Sequence, residues 1–252
     1  NLPDYTLTLQ SMEFSENESS WGAAVHAFNT IVNIEDSLFF DNLAAPDGVS
    51  GDYSAQGGAI NITESRDEGV IHTITGSTFI NNQTTESTGL YGGGGAIAYA
   101  SYGGRLNIYD SVFDSNQTAG PQGGGAILAK IYEGGFGADF GESTDVRIES
   151  SLFLNNEVTD QANATAGGGA ISGISSNGMN LRTTIYLSTL MNNSVASTSG
   201  TGGAISSTVL NGSPSNTLNV AESTFSGNHA FSGGAIATNA TYSTILTSTI
   251  TL

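Results

Sequence analysis

No cysteine occurs in the 252 residues, and the chain holds only five Lys and Arg and three His. Without thiols there is no disulfide framework, no Cys-ligated zinc and no thiol chemistry, so rigidity has to come from packing and hydrogen bonding. Against 23 Asp and Glu, so few cations leave a formal charge of −18. That balance excludes a nucleic-acid-binding stripe and disfavours an anionic membrane surface as a partner. Bases and charge-neutralising groups for catalysis are equally scarce. No apolar run approaches the roughly 18 residues that suggest a membrane helix. The opening Asn1-Leu2-Pro3-Asp4 has neither the basic nor the apolar part of a signal segment. The chain reads as a mature or excised piece with no direct membrane insertion.

What is abundant is glycine, 34 residues, beside 38% hydrophobic content. Glycine at that level could mark a linker, but the apolar residues recur too regularly for disorder. Gly-Gly-Ala-Ile appears at Gly57, Gly94, Gly124, Gly168, Gly202 and Gly233, after a degenerate Gly22-Ala23-Ala24-Val25. Between these copies runs Ile-x-x-Ser-x-Phe-x-x-Asn. Its aromatic position holds Phe14, Phe39, Phe79, Phe113, Phe153 and Phe225, with Leu190 and Ile250 in the equivalent places. Three residues later come Asn17, Asn42, Asn82, Asn116, Asn156, Asn193 and Asn228. Two residues before the aromatic lies Ser in seven copies and Met12 in the first, and five before it an aliphatic residue in all of them.

The spacing from one aromatic position to the next runs 25, 40, 34, 40, 37, 35 and 25 residues. Helical-hairpin repeats do not vary so much, whereas a fixed coil of about 25 residues with insertions at tolerated corners does. The segments around the motif are short, β-branched and alternating, and turn residues bound them. Together these features predict a parallel β-helix of about eight rungs with loop insertions, one repeat domain over residues 1–252. Stacked rungs place the Phe side chains over one another about 4.8 Å apart, and eight of them make a rod roughly 35 Å long. The Asn after each Phe fits a sharp left-handed turn, and Gly-Gly supplies backbone freedom before the next strand. Whether Ala or Ile of the tetrapeptide faces the core is open at this level. Exposed end rungs invite strand pairing, so the expectation is a fragment of a longer repetitive surface protein, or rods that meet end to end.

Alternating Gly-Gly-Ala-Ile and Phe-x-x-Asn over residues 9–250 resembles the repeat of the polymorphic outer-membrane proteins of chlamydiae, a family of autotransporter adhesins. The resemblance implies a right-handed, single-stranded parallel β-helix displayed outside the cell or at its surface, acting in adhesion or as a displayed antigen. Its implied partner is a host or neighbouring cell-surface protein or glycan.

Insertions fall at two corners, residues 43–56, 83–92 and 157–166 at one and residues 63–69, 98–104 and 128–144 at the other. Loops on a rigid scaffold commonly carry binding. Tyr53, Tyr91, Tyr99, Tyr102 and Tyr132 lie in or beside them and are candidate partner-binding residues, since Tyr offers stiff, amphipathic contact area; the plainer alternative is that they cover the coil. Gly134-Gly135-Phe136-Gly137-Ala138-Asp139-Phe140 matches one copy of a calcium-binding Gly-rich repeat. Such sites form between successive repeats, so this segment is either a calcium site through Asp139 or a Gly-rich loop, and no other cofactor is expected. Of eight Asn-x-Ser/Thr sequons, loop Asn163 and Asn211 are the candidates for glycosylation if the source is eukaryotic.

Some parallel β-helices are polysaccharide-degrading enzymes, which need facing carboxylates or a base beside acidic ligands. Arg66, Arg105, Lys130, Arg147 and Arg182 lie in different copies and His26, His72 and His229 at unrelated positions, so no catalytic constellation is read. The preferred function is a non-enzymatic adhesive or structural ectodomain. The alternatives are a subunit of a filament, sheath or appendage that binds copies of itself, and a polysaccharide-degrading enzyme.

Overall fold

The computed structural model describes residues 5–46, 55–65, 69–85, 92–120, 122–131, 143–159, 167–175, 180–209, 216–238, 242–246 and 249–251. The chain is a parallel β-helix. Among the described residues all strand pairs are parallel and join residues one repeat apart, forming sheets of eight, eight, seven and six strands. One rung illustrates the coil: Ile97–Ser101 in the glycine–alanine sheet, Arg105–Tyr109 in the aliphatic sheet, Val112–Asp114 in the phenylalanine sheet and Gln117–Thr118 in the short sheet.

Register follows the repeat aligned from sequence. Phe14, Phe39, Phe79, Phe113, Phe153, Leu190, Phe225 and Ile250 are successive Cα partners. The first five rings stack at centroid separations of 4.7–4.8 Å, the rise of one rung. Ile34, Ile74, Ile108, Ile148 and Ile185 form a second column in the same core.

Two polar columns fix the corners. Each described ladder Ser donates to the carbonyl two residues earlier, as Ser111 Oγ does to Tyr109 O at 2.7 Å, and accepts the backbone N–H of the equivalent residue one rung before, as from Ser77 N at 3.2 Å. At the next corner the Asn amides are saturated. Asn116 Nδ2 donates to Phe79 O and to Asn156 Oδ1, both at 3.0 Å, while Asn116 Oδ1 accepts Asn82 N and Asn82 Nδ2, also at 3.0 Å. The left-handed residue is not the Asn, as expected from sequence, but the residue before it: Glu16, Asp41, Asn81, Ser115, Asn155 and Asn192 have φ of 52–57°. A bend made one position earlier leaves the Asn side chain turned into the coil, where its amide stacks on the rungs above and below.

The two glycines of the tetrapeptide serve different ends. Gly94 and Gly124 have φ of +74° and +73°, a conformation that L side chains rarely adopt. The second glycine allows close approach, because a Cβ on Gly95 would fall on the carbonyl oxygen of Gly125 in the next rung. The question of which residue faces inward resolves as both: Ala96 and Ile97, like Ala126 and Ile127, are fully buried in one core cluster.

Candidate functional site

Two of the candidate contact tyrosines belong to the core. The glycine–alanine strand continues to Ser101, so its alternation turns Ile97, Tyr99 and Ser101 to the same side. Tyr99 is fully buried and packs edge-on to His72 with ring centroids 5.6 Å apart; Tyr102 is buried in the same cluster. Burial pushes the Tyr99 phenol pKa well up. Neither ring can meet a partner in the folded chain. Tyr53, Tyr91, Tyr132, Asp139, Asn163 and Asn211 lie outside the described residues. Of the remaining sequons, Asn82 and Asn116 are fully buried ladder residues and closed to modification in the folded state.

Around Tyr99 the corner between the glycine–alanine and aliphatic sheets is polar but serves the backbone. His72 Nδ1 accepts from Val32 N at 3.2 Å, Ser101 Oγ accepts from Gly104 N at 2.8 Å, and Thr144 Oγ1 donates to Ser101 O at 2.9 Å. Among the described residues no three of His, Asp and Glu converge to hold a metal ion.

The outer face of the aliphatic sheet has a different character. Alternation turns Ile108 and Ile148 inward and sends every second residue out. Rung register then lines up Arg105, Asp145 and Arg182 in one column, Asn107, Arg147, Thr184 and Asn219 in the next, and Tyr109, Glu149, Tyr186 and Ala221 in a third. Three of the five cations of the chain, read from sequence as spread over different copies, meet here on consecutive rungs. Arg105 Nη2 lies 2.8 Å from Asp145 Oδ2 and Arg147 Nη2 2.8 Å from Glu149 Oε2, whereas Arg182 Nη1 reaches Asp145 Oδ1 only at 3.9 Å. All three guanidinium side chains are about half exposed, and Asp145 is held between two of them at 14% exposure.

Between the tall side chains of Arg147, Arg182 and Tyr186 and the short ones of Thr184 and Ala221 lies a depression of about 350 Å³. Its Tyr186 phenol has a raised pKa, mainly because Glu222 stands beside it. Half-exposed guanidinium groups can donate paired hydrogen bonds to a carboxylate, the carboxylates can accept hydroxyl protons, and a phenol ring offers an apolar face with a polar tip. The signal for this face was present in the sequence: Arg105, Asp145 and Arg182 each stand eight residues before their rung's ladder residue, Phe113, Phe153 or Leu190. An alignment carried three positions further upstream brings them into one column. Comparisons with protein-family models, with curated proteins and with solved structures find no match for this chain.

Proposed function

We propose that the chain is a non-enzymatic, surface-exposed β-solenoid that acts in adhesion, the coil serving as a stiff scaffold and its insertions as contact segments. One observation carries the reading. Repeat spacing varies between 25 and 40 residues, yet the Phe and Asn columns keep their register through every change of length. Insertions at the corners are therefore free to vary without cost to the stacking, which is the condition for grafting contact surfaces on a repeat scaffold. The buried Phe, Ser and Asn columns are meanwhile committed to holding rungs together. The resemblance of the paired motifs to the chlamydial surface family supports the same reading.

The test is attachment of beads coated with the purified chain to a panel of bacterial and animal cells. Attachment should fall at least about tenfold when Tyr53, Tyr91 and Tyr132 are changed together to Ser, a loss of ~1.4 kcal/mol or more in apparent binding, with the melting temperature retained. Beads that bind no cell type, or bind equally after the substitutions, contradict an adhesive role through those residues. Release of unsaturated products from acidic polysaccharides contradicts the non-enzymatic reading.

A further inference from the structure

The Arg-rich face of the aliphatic sheet sets a narrow chemical specification. In a chain of formal charge −18, long-range attraction cannot draw an anion to it; two carboxylates, Asp145 and Glu149, border the three guanidinium groups, and a third, Glu222, stands beside Tyr186. The patch thus has no net positive charge. A polyanion with a charge at every unit would meet an acidic side chain beside each Arg, and like charges in contact are costly. A ligand with a single carboxylate and neutral hydroxyl flanks suits it instead, because the acidic residues then act as hydroxyl acceptors.

The guanidinium groups are not equally committed. Arg105 gives both Nε and Nη2 to Asp145 Oδ2, at 3.3 and 2.8 Å, and Arg147 gives Nη2 to Glu149. Among the described residues Arg182 has only the 3.9 Å approach to Asp145, beyond hydrogen-bond reach. Its planar fork stands half exposed on the rim of the 350 Å³ depression, next to Thr184 and Asn219 and across from Tyr186. That volume sits at the lower end of small-ligand sites, roughly 300–1,000 Å³. Bidentate donation to a carboxylate is the interaction that Arg geometry favours most, and the phenol ring beside it can cover the apolar face of a pyranose.

We propose that this depression binds a carboxylated sugar, with Arg182 taking the carboxylate, Tyr186 packing on the ring, and Asn219 meeting its hydroxyl groups. The proposal names a ligand class for the contact role above and rests on that reading. Its assay uses only the purified chain and free saccharides, so failure here leaves attachment through the insertions standing.

The experiment titrates isotope-labelled chain with methyl galacturonide and with 3′-sialyllactose, each bearing a single carboxylate, using maltotriose as the uncharged comparison and sodium acetate as the bare carboxylate. At least one acidic saccharide should shift the amide signals of Thr184, Tyr186 and Asn219 and bind at least about tenfold more tightly than maltotriose or acetate. Arg182→Gln should weaken that binding about tenfold or more, the scale of one lost charge-assisted pair, and Tyr186→Ala about fivefold. Both side chains are on the surface, so the melting temperature should stay within a degree or two of the parent. Binding of neither acidic saccharide, binding indifferent to Arg182→Gln, or acetate binding of equal strength would each overturn the proposal.

Discussion

Replacing Asn116 with alanine should lower the free energy of unfolding by roughly 3–6 kcal/mol. The side chain is fully buried and all four of its hydrogen-bonding capacities are used. Its removal leaves Asn82 N and Asn82 Nδ2 without their acceptor, and takes a donor from Phe79 O and from Asn156 Oδ1. Each buried polar group left unpaired costs about 1–3 kcal/mol, reduced where the backbone relaxes. Asn17 is half-buried in the first rung and accepts from no earlier ladder Asn among the described residues, so Asn17→Ala should cost only about 1 kcal/mol. Denaturation followed by circular dichroism distinguishes the two. Because rungs interact chiefly with their neighbours, the Asn116→Ala transition should also broaden as the stack weakens at its middle. Equal effects of Asn116→Ala and Asn17→Ala would remove the amide column as a source of stability.

Phe113→Ala should cost about 3–5 kcal/mol, the range for deleting a buried aromatic side chain from a core that collapses only partly. Phe113 is fully buried between Phe79 and Phe153, with near-parallel rings 4.7 Å away on each side. Phe113→Leu should cost less than about 1.5 kcal/mol. The chain already carries that exchange: Leu190, fully buried, holds the same column between Phe153 and Phe225. If leucine at 113 proved as harmful as alanine, ring stacking rather than buried volume would dominate the column.

The inner columns were readable because one fixed spacing repeats in them. Phe79 and Phe113 are 34 residues apart and Phe39 and Phe79 are 40, but the Ser, Phe and Asn of each copy keep the same internal offsets, so the register emerges despite the insertions. The turn residue was displaced by one position because Asn is the usual occupant of a left-handed bend, whereas here Ser115 makes the bend and Asn116 fills the coil. Tyr99 and Tyr102 read as loop residues in sequence because they fall between the tetrapeptide and Gly103-Gly104, a strong turn signal at a corner where insertions enter. In fact the first strand runs to Ser101 and alternation carries Tyr99 inside. The Arg face is hidden in the sequence because its residues differ from rung to rung: the column that runs Ile71, Arg105, Asp145, Arg182 and Thr217 has no constant residue type. The motif brings them together only when its register is carried upstream to that column.

That register is what the whole reading rests on, and the absence of native cysteine makes it directly measurable. Cysteines introduced at Glu35 and Ala221 carry spin labels at two outward positions of one column, linked rung by rung through Thr75, Tyr109, Glu149 and Tyr186. Five rung steps of about 4.8 Å place the labelled positions roughly 24 Å apart. Double electron–electron resonance should give one dominant distance near that value. A dominant distance beyond about 35 Å, or a distribution with no main peak, would contradict the stacked coil and with it the faces assigned to its surface.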